Sequence, residues 1–114
     1  MSVTNDILSI IENGKEEYDQ EISREDRWEF FYHLSRLRKA SLIWYPIAEN
    51  ANVLEIGCGF GALTGLLCDK ASFVDAIDHN ALYTEGCKKR YANRKNLSVI
   101  QADILDFLEN NYIT

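Results

Sequence analysis

Asn52-Val53-Leu54-Glu55-Ile56-Gly57-Cys58-Gly59-Phe60-Gly61-Ala62-Leu63-Thr64 is the stretch from which the rest of the chain is read. A short apolar run ends in glycines at every second position and then passes into a helical pattern. That order predicts a buried parallel strand, a tight turn and a helix start near Ala62. Glycines allow positive φ and let a ligand approach more closely than a Cβ permits. The free N–H groups of the following helix are aimed at the same spot.

Two cofactor classes use such a turn. Gly57, Gly59 and Ala62 satisfy the dinucleotide spacing G-x-G-x-x-G/A, while Gly57, Gly59 and Gly61 satisfy the G-x-G-x-G of S-adenosylmethionine enzymes. Glu55 tips the balance. A carboxylate at the strand end repels a pyrophosphate, whereas it suits a ligand that carries an ammonium and a sulfonium. Farther on, Asp78 lies 21 residues beyond Gly57 at the end of the next strand pattern. There a carboxylate can accept both hydroxyls of a ribose; the alternative is an N-cap for the helix starting near Ala81.

Val53-Leu54-Glu55-Ile56-Gly57-Cys58-Gly59-Phe60-Gly61 resembles motif I of the class I S-adenosylmethionine-dependent methyltransferases. Phe73-Val74-Asp75-Ala76-Ile77-Asp78 is similar to that family's second strand with its terminal acid, and Val99-Ile100-Gln101-Ala102-Asp103-Ile104 to its third strand and turn. The resemblance implies a Rossmann-like α/β fold, S-adenosyl-L-methionine as cofactor, and a methyl-transfer reaction that needs no metal. It also implies roles. Glu55 orients the methionine end, Gly57, Cys58, Gly59 and Gly61 form the cradle, Asp78 takes the ribose, His79 lines the adenine edge, and Asp103 and Ile104 meet the adenine. Plainer readings stand beside these: His79 as an exposed loop histidine, and Asp103 as the cap of the helix through Leu108. The base for a hydroxyl acceptor is expected from later strands, so no catalytic residue is named.

Around this centre the pattern alternates: strands near 52–56, 73–77 and 97–101, and helices near 61–69, 80–92 and 104–111. Such alternation predicts parallel βαβ units. The family's domain has more strands than these three, so residues 51–114 are expected to be the first half of the cofactor-binding domain, inactive alone. The resemblance places the first strand in mid-sheet. Its apolar edge, open here, predicts self-association.

Residues 1–50 read as an N-terminal helical cap segment. Thr4 or Asn5 is a candidate cap for a helix with Ile7, Leu8, Ile10 and Ile11 on one stripe, stopped at Asn13-Gly14. Ser23-Arg24-Glu25-Asp26 has capping-box spacing ahead of a second helix, in which Trp28, Phe31 and Tyr32, extended by Leu34 and Leu37, form the apolar surface. Trp28, Tyr32, His33 and Arg36 are where an acceptor or lid would sit; the plainer reading of His33 is a partly exposed helix histidine. Phe31-Tyr32-His33-Leu34-Ser35-Arg36-Leu37-Arg38 resembles the lead-in of bacterial methyltransferase domains found beside glycosyltransferases, which implies a glycan or small-metabolite acceptor.

Composition bounds the partners. With 46% hydrophobic and 26% charged residues the chain is globular rather than disordered. Its formal charge is −6, and both halves are acidic, so a broad nucleic-acid face is not expected. The basic cluster Lys88-Lys89-Arg90 with Arg94 and Lys95 reads as a solvated helix face near a helix C-terminus. Gly61-Ala62-Leu63-Thr64 also resembles the ribosomal RNA adenine dimethyltransferases, but their Gln-Asn-Phe-Leu type signature and basic face are missing. Three cysteines without C-x-x-C spacing indicate neither a disulfide framework nor a zinc site, which fits a cytoplasmic protein. No apolar stretch reaches the roughly 18 to 20 residues of a membrane span. The alternatives carried forward are an NAD-type oxidoreductase domain, a ribosomal RNA methyltransferase, and a non-catalytic interaction module of the same fold.

Overall fold

The computed structural model describes residues 2–111. Three helices come first: α1 (Val3–Ile10), α2 (Asp19–Ser23) and α3 (Trp28–Leu34), followed by a 3-10 segment over Arg36–Ser41. Strands and helices then alternate as β1 (Asn52–Ile56), α4 (Thr64–Lys70), β2 (Phe73–Asp78), α5 (Ala81–Arg90), β3 (Leu97–Gln101) and α6 (Ile104–Asn111). The sheet is parallel, in the order β1-β2-β3, with Ile56 opposite Ile77 and Asp78 opposite Gln101. This is the Rossmann-like α/β arrangement expected from the alternation. The carboxyl ends of all three strands lie on one rim, where open α/β sheets form their crevices.

Two apolar clusters hold the elements together. One lies between the sheet and helices α4 and α5, built on Val74, Ala76, Leu67, Cys68, Cys87 and Tyr91. The other belongs to the N-terminal segment: Ile7, Ile11, Tyr18, Phe30 and Leu34, completed by Phe60 of the glycine turn. Phe60 inserts against α5 at Gly86, where a Cβ would lie 2.4 Å from its ring. A glycine in mid-helix is thus the space that lets the turn and the N-terminal helices share one core.

Several local expectations change. Ser2, not Thr4 or Asn5, caps α1 by accepting from the Asn5 amide. The capping box at Ser23–Asp26 does not form, because Ser23 closes α2; Glu25 instead accepts from the amide and guanidinium of Arg27. The face of α3 is also different. Phe30 and Leu34 are its buried residues, while Trp28 (67% exposed), Phe31, Tyr32 and Leu37 face outward. Helix α4 starts at Thr64 rather than near Ala62, since residues 60–63 continue the turn.

The largest correction is Arg90. It does not belong to a solvated basic face: it is completely buried. Its Nε donates to the Glu16 carbonyl at 2.7 Å, Nη1 to those of His33 and Phe60 at 3.2 Å each, and Nη2 to that of Leu34 at 3.2 Å. His33 and Leu34 are the last two residues of α3, so the guanidinium satisfies carbonyls that the helix end leaves without partners. Five donors in a fixed plane reach three separate segments, which an ammonium cannot do. Arg90→Met is expected to lower unfolding free energy by about 3 kcal/mol or more, because four buried or part-buried carbonyls lose charged donors. Arg90→Lys should recover only a part. Urea unfolding measures both.

Candidate functional site

The turn after β1 is built by main-chain bonds to the end of β2. The amides of Gly57 and Cys58 donate to the Ile77 carbonyl at 2.8 and 3.0 Å, and the Gly61 amide donates to Cys58 at 2.9 Å. Asp78, only 8% exposed, ties the turn to β2: its Oδ2 accepts from the Gly59 amide at 3.1 Å and its Oδ1 from the Asn80 amide at 2.9 Å. Asn80, not Asp78, caps α5, accepting from Leu82 and Tyr83. The capping alternative for Asp78 is thereby removed. Each carboxylate oxygen retains a second lone-pair direction for a ligand.

Gly59 has φ +58°, and a Cβ there would find nothing nearer than His33 Nδ1 at 3.8 Å; at Gly57 a Cβ would meet nothing within 4 Å. Both glycines open onto a cavity of about 830 Å³ that also takes in Glu55, Cys58, Asp78, Trp28, Tyr32, His33, Arg38 and Tyr83. A second cavity of about 130 Å³ adjoins it, sharing Ile56, Gly57 and Asp78 and adding His79, Asp103 and Ile104. Eight of the nine expected site residues therefore line one continuous crevice. Gly61 lines neither cavity. It is buried, with φ +87°, and a Cβ there would lie 2.6 Å from the Tyr91 ring and 2.9 Å from Cys87 Sγ. The Tyr91 hydroxyl donates to its carbonyl at 2.6 Å.

The charged groups differ in how they are held. Glu55 sits on β1 and accepts from the Thr64 hydroxyl at 2.6 Å. Burial pushes its carboxyl up to about 7, opposed by the Thr64 hydrogen bond and the more distant positive charge of Arg38. Burial also lowers His33, which keeps its imidazole neutral at pH 7. The Cys58 thiol is pushed up by its contact with Cys87 and by burial, so it stays protonated. His79 is 86% exposed, 3.6 Å from Asp78 Oδ1. Asp103 is exposed and its Oδ1 accepts from the amides of Leu105 and Asp106, so the capping role holds while its residue lines the smaller cavity. Arg36 pairs with Asp19 instead of joining the site. Arg38 takes that place, over the ring of Tyr32 at 4.3 Å. Sequence reasoning passed over Thr64, Arg38 and Tyr83, whose only signal is proximity in the chain to motif residues.

The model of the family described as "Methyltransferase domain" matches residues 53–112, more than half of the chain. The chain belongs to this family, the class I S-adenosylmethionine-dependent methyltransferases that motif I resembles. Ribosomal RNA small subunit methyltransferase A of Borreliella burgdorferi (strain ZS7) is 29% identical over 107 residues, 93% of this chain and 37% of the relative. The chain thus spans little more than a third of that relative's length. The structure of Haemonchus contortus phosphoethanolamine N-methyltransferase 1, in complex with phosphoethanolamine and S-adenosylhomocysteine, is 22% identical at a TM-score of 0.58, covering 90% of this chain and 22% of that one. A dimethyladenosine transferase from Plasmodium falciparum is 37% identical at a TM-score of 0.52 over 59% of this chain and 26% of its own. Among the described residues no helix is long and apolar enough to cross a membrane.

Two stability predictions separate packing from cavity. Gly61→Ala should destabilise the fold, since Tyr91 and Cys87 must move and positive φ strains an alanine, by about 1 to 3 kcal/mol in urea unfolding. Glu55 works through protons. Its folded pKa lies above the unfolded carboxylate value, so the folded state binds the extra proton between about pH 4.5 and 7, and stability falls as pH rises through that window. Glu55→Gln should therefore stabilise at pH 8, by about 1 to 3 kcal/mol, and little at pH 4.5. Unfolding at both pH values checks the sign.

Proposed function

We propose that this chain is the cofactor-binding front half of an S-adenosylmethionine-dependent methyltransferase, with residues 1–50 as a helical cap and 51–114 as the first half of the binding domain. The observation that carries the reading is Glu55. A carboxylate set at a strand end, accepting only a hydroxyl among the described residues and titrating near neutrality, opens onto a cavity floored by two glycines. A ligand with an ammonium group relieves its desolvation, while a pyrophosphate aggravates it. This favours S-adenosylmethionine over an NAD-type dinucleotide.

In this reading Glu55, Gly57, Cys58 and Gly59 hold the methionine end and Asp78 takes the ribose hydroxyls. His79, Asp103 and Ile104 border the adenine in the smaller cavity, and Gly61 shapes the turn from behind. Bound there, S-adenosylmethionine supplies a methyl group on a positively charged sulfur. The chain's own contribution is alignment and the exclusion of water by the N-terminal helices.

For the acceptor, the acidic balance supports a glycan or small metabolite, because a phosphate backbone is bound through Lys and Arg. The ribosomal RNA relatives favour a second reading, an RNA adenine acceptor. Turnover on 16S-type RNA against a panel of small hydroxyl and amine acceptors decides between them. A non-catalytic module would turn over neither.

Calorimetry with S-adenosylhomocysteine and with NAD tests the cofactor. Binding of the first and not the second is expected; the reverse overturns the proposal. Asp78→Asn should weaken S-adenosylhomocysteine by about 1.5 to 3 kcal/mol, the scale of a charge-assisted hydrogen bond, and unchanged affinity removes Asp78 from the site. Gly59→Val should abolish binding because its side chain enters the cavity rather than the core, at a stability cost of about 1 to 3 kcal/mol from the positive φ, which urea unfolding measures alongside circular dichroism.

A further inference from the structure

We propose that His33 is a cofactor-contacting, specificity-determining residue, which closes the cavity opposite Gly59 and admits a cationic ligand only when its imidazole is neutral. This rests on the cofactor reading above. The geometry is built rather than incidental. One nitrogen of the buried Arg90, Nη1, donates both to the His33 carbonyl and to the Phe60 carbonyl, at 3.2 Å each. The same guanidinium thus pins the backbone of His33 to the turn that carries Gly59.

The ring is fixed as well. Tyr32 and Phe60 meet it edge-on at 5.1 Å, and Tyr83 lies tilted at 5.2 Å. Rotation away from the cavity would break this aromatic packing. Nδ1 lies in van der Waals reach, 3.8 Å, of the point where a Gly59 Cβ would be, and both residues line the larger cavity, so a ligand seated on the turn meets the imidazole. A neutral imidazole offers one ring nitrogen as an acceptor to an ammonium group, whereas an imidazolium offers only donors and repels it.

The charged groups around it set its titration. Glu29 on α3, Arg38 after it, Arg90 on α5 and Asp78 on β2 all act on the ring, the two arginines lowering its proton affinity and the two acids raising it, with burial as the largest influence. Glu55 shares the cavity, and burial raises its carboxyl to about 7. Acidification therefore weakens a cationic ligand twice, through protonated Glu55 and through charged His33. Only the second component disappears when His33 is replaced.

The test is the affinity of S-adenosylmethionine, whose sulfonium makes it a net cation, by calorimetry from pH 8 to pH 5 for the wild type, His33→Asn and His33→Gln, which keep a polar group and cannot titrate. The wild-type slope should be steeper than either variant's by about one proton, roughly tenfold in affinity per pH unit below the imidazole's pKa. Reciprocity gives a second readout on the folded wild type, which has two histidines. Saturating S-adenosylmethionine should lower the NMR-measured pKa of His33 more than that of the exposed His79. Binding with identical pH slopes in all three proteins, or a His33 pKa unmoved by ligand, overturns the role of His33 and leaves the cofactor reading standing. Absence of binding at every pH overturns both.

Discussion

A single buried guanidinium decides how the two parts of this molecule meet. Arg90 stands at the end of α5, where a cation also complements the helix dipole, and every acceptor it uses is a main-chain carbonyl. Burying a charge costs several kcal/mol unless hydrogen bonds replace its water. Here the replacements come from Glu16, from the final turn of α3 and from Phe60 in the glycine turn. The burial is tolerable only if all three segments are in place. Arg90 therefore acts as a condition on the fold: the N-terminal helices, α5 and the ligand turn form together or leave a charge stranded.

That condition explains why the glycines divide their work. Gly59 needs space on the ligand side, and its amide is held by Asp78 from the strand side. Gly61 needs space on the protein side, where Tyr91 and Cys87 press against it. Between them Phe60 points its ring into the N-terminal cluster and its carbonyl to Arg90. Successive residues of one five-residue turn thus serve a cavity, a buried charge and a packed core. A turn tied at so many points presents a preformed surface, which reduces the ordering that ligand binding would otherwise require.

The strands were legible because short apolar runs bounded by turn residues mark them, and 52–56 and 97–101 coincide with β1 and β3; their burial was overestimated, since β1 and β3 hold only half-buried or exposed residues and Ile56 is 59% exposed. The crevice was legible for a similar reason: residues just past the ends of strands must lie on one rim, whatever the side chains do. What escaped was the sidedness of α3. Six of its seven residues are aromatic, apolar or histidine, so the 3.6-residue pattern offers several stripes of similar width. Which stripe is buried depends on where Phe60, Ile7 and Ile11 arrive, and those contacts cross the chain. Arg90 was opaque for the same cause. Its sequence neighbours Lys88 and Lys89 describe a wet helix face, and only the carbonyls of distant segments give it a reason to be inside.

The electrostatics of the crevice follow from this arrangement rather than from composition. A net charge of −6 says little about a cavity in which two groups have been shifted toward neutrality, Glu55 by losing water and His33 by the same loss reinforced by two arginines. Empty, the cavity holds neither a committed anion at Glu55 nor a cation at His33 near pH 7. A cationic ligand changes both in one direction: it favours the ionised carboxylate and the uncharged imidazole. On the proposed reading, the field that would recognise such a ligand is partly created by its arrival, and most of its strength comes from the low polarity that the docked N-terminal helices impose. Loosening α3 from the turn would admit water, return both groups toward their ordinary values, and erase the preference without altering a single residue that lines the site.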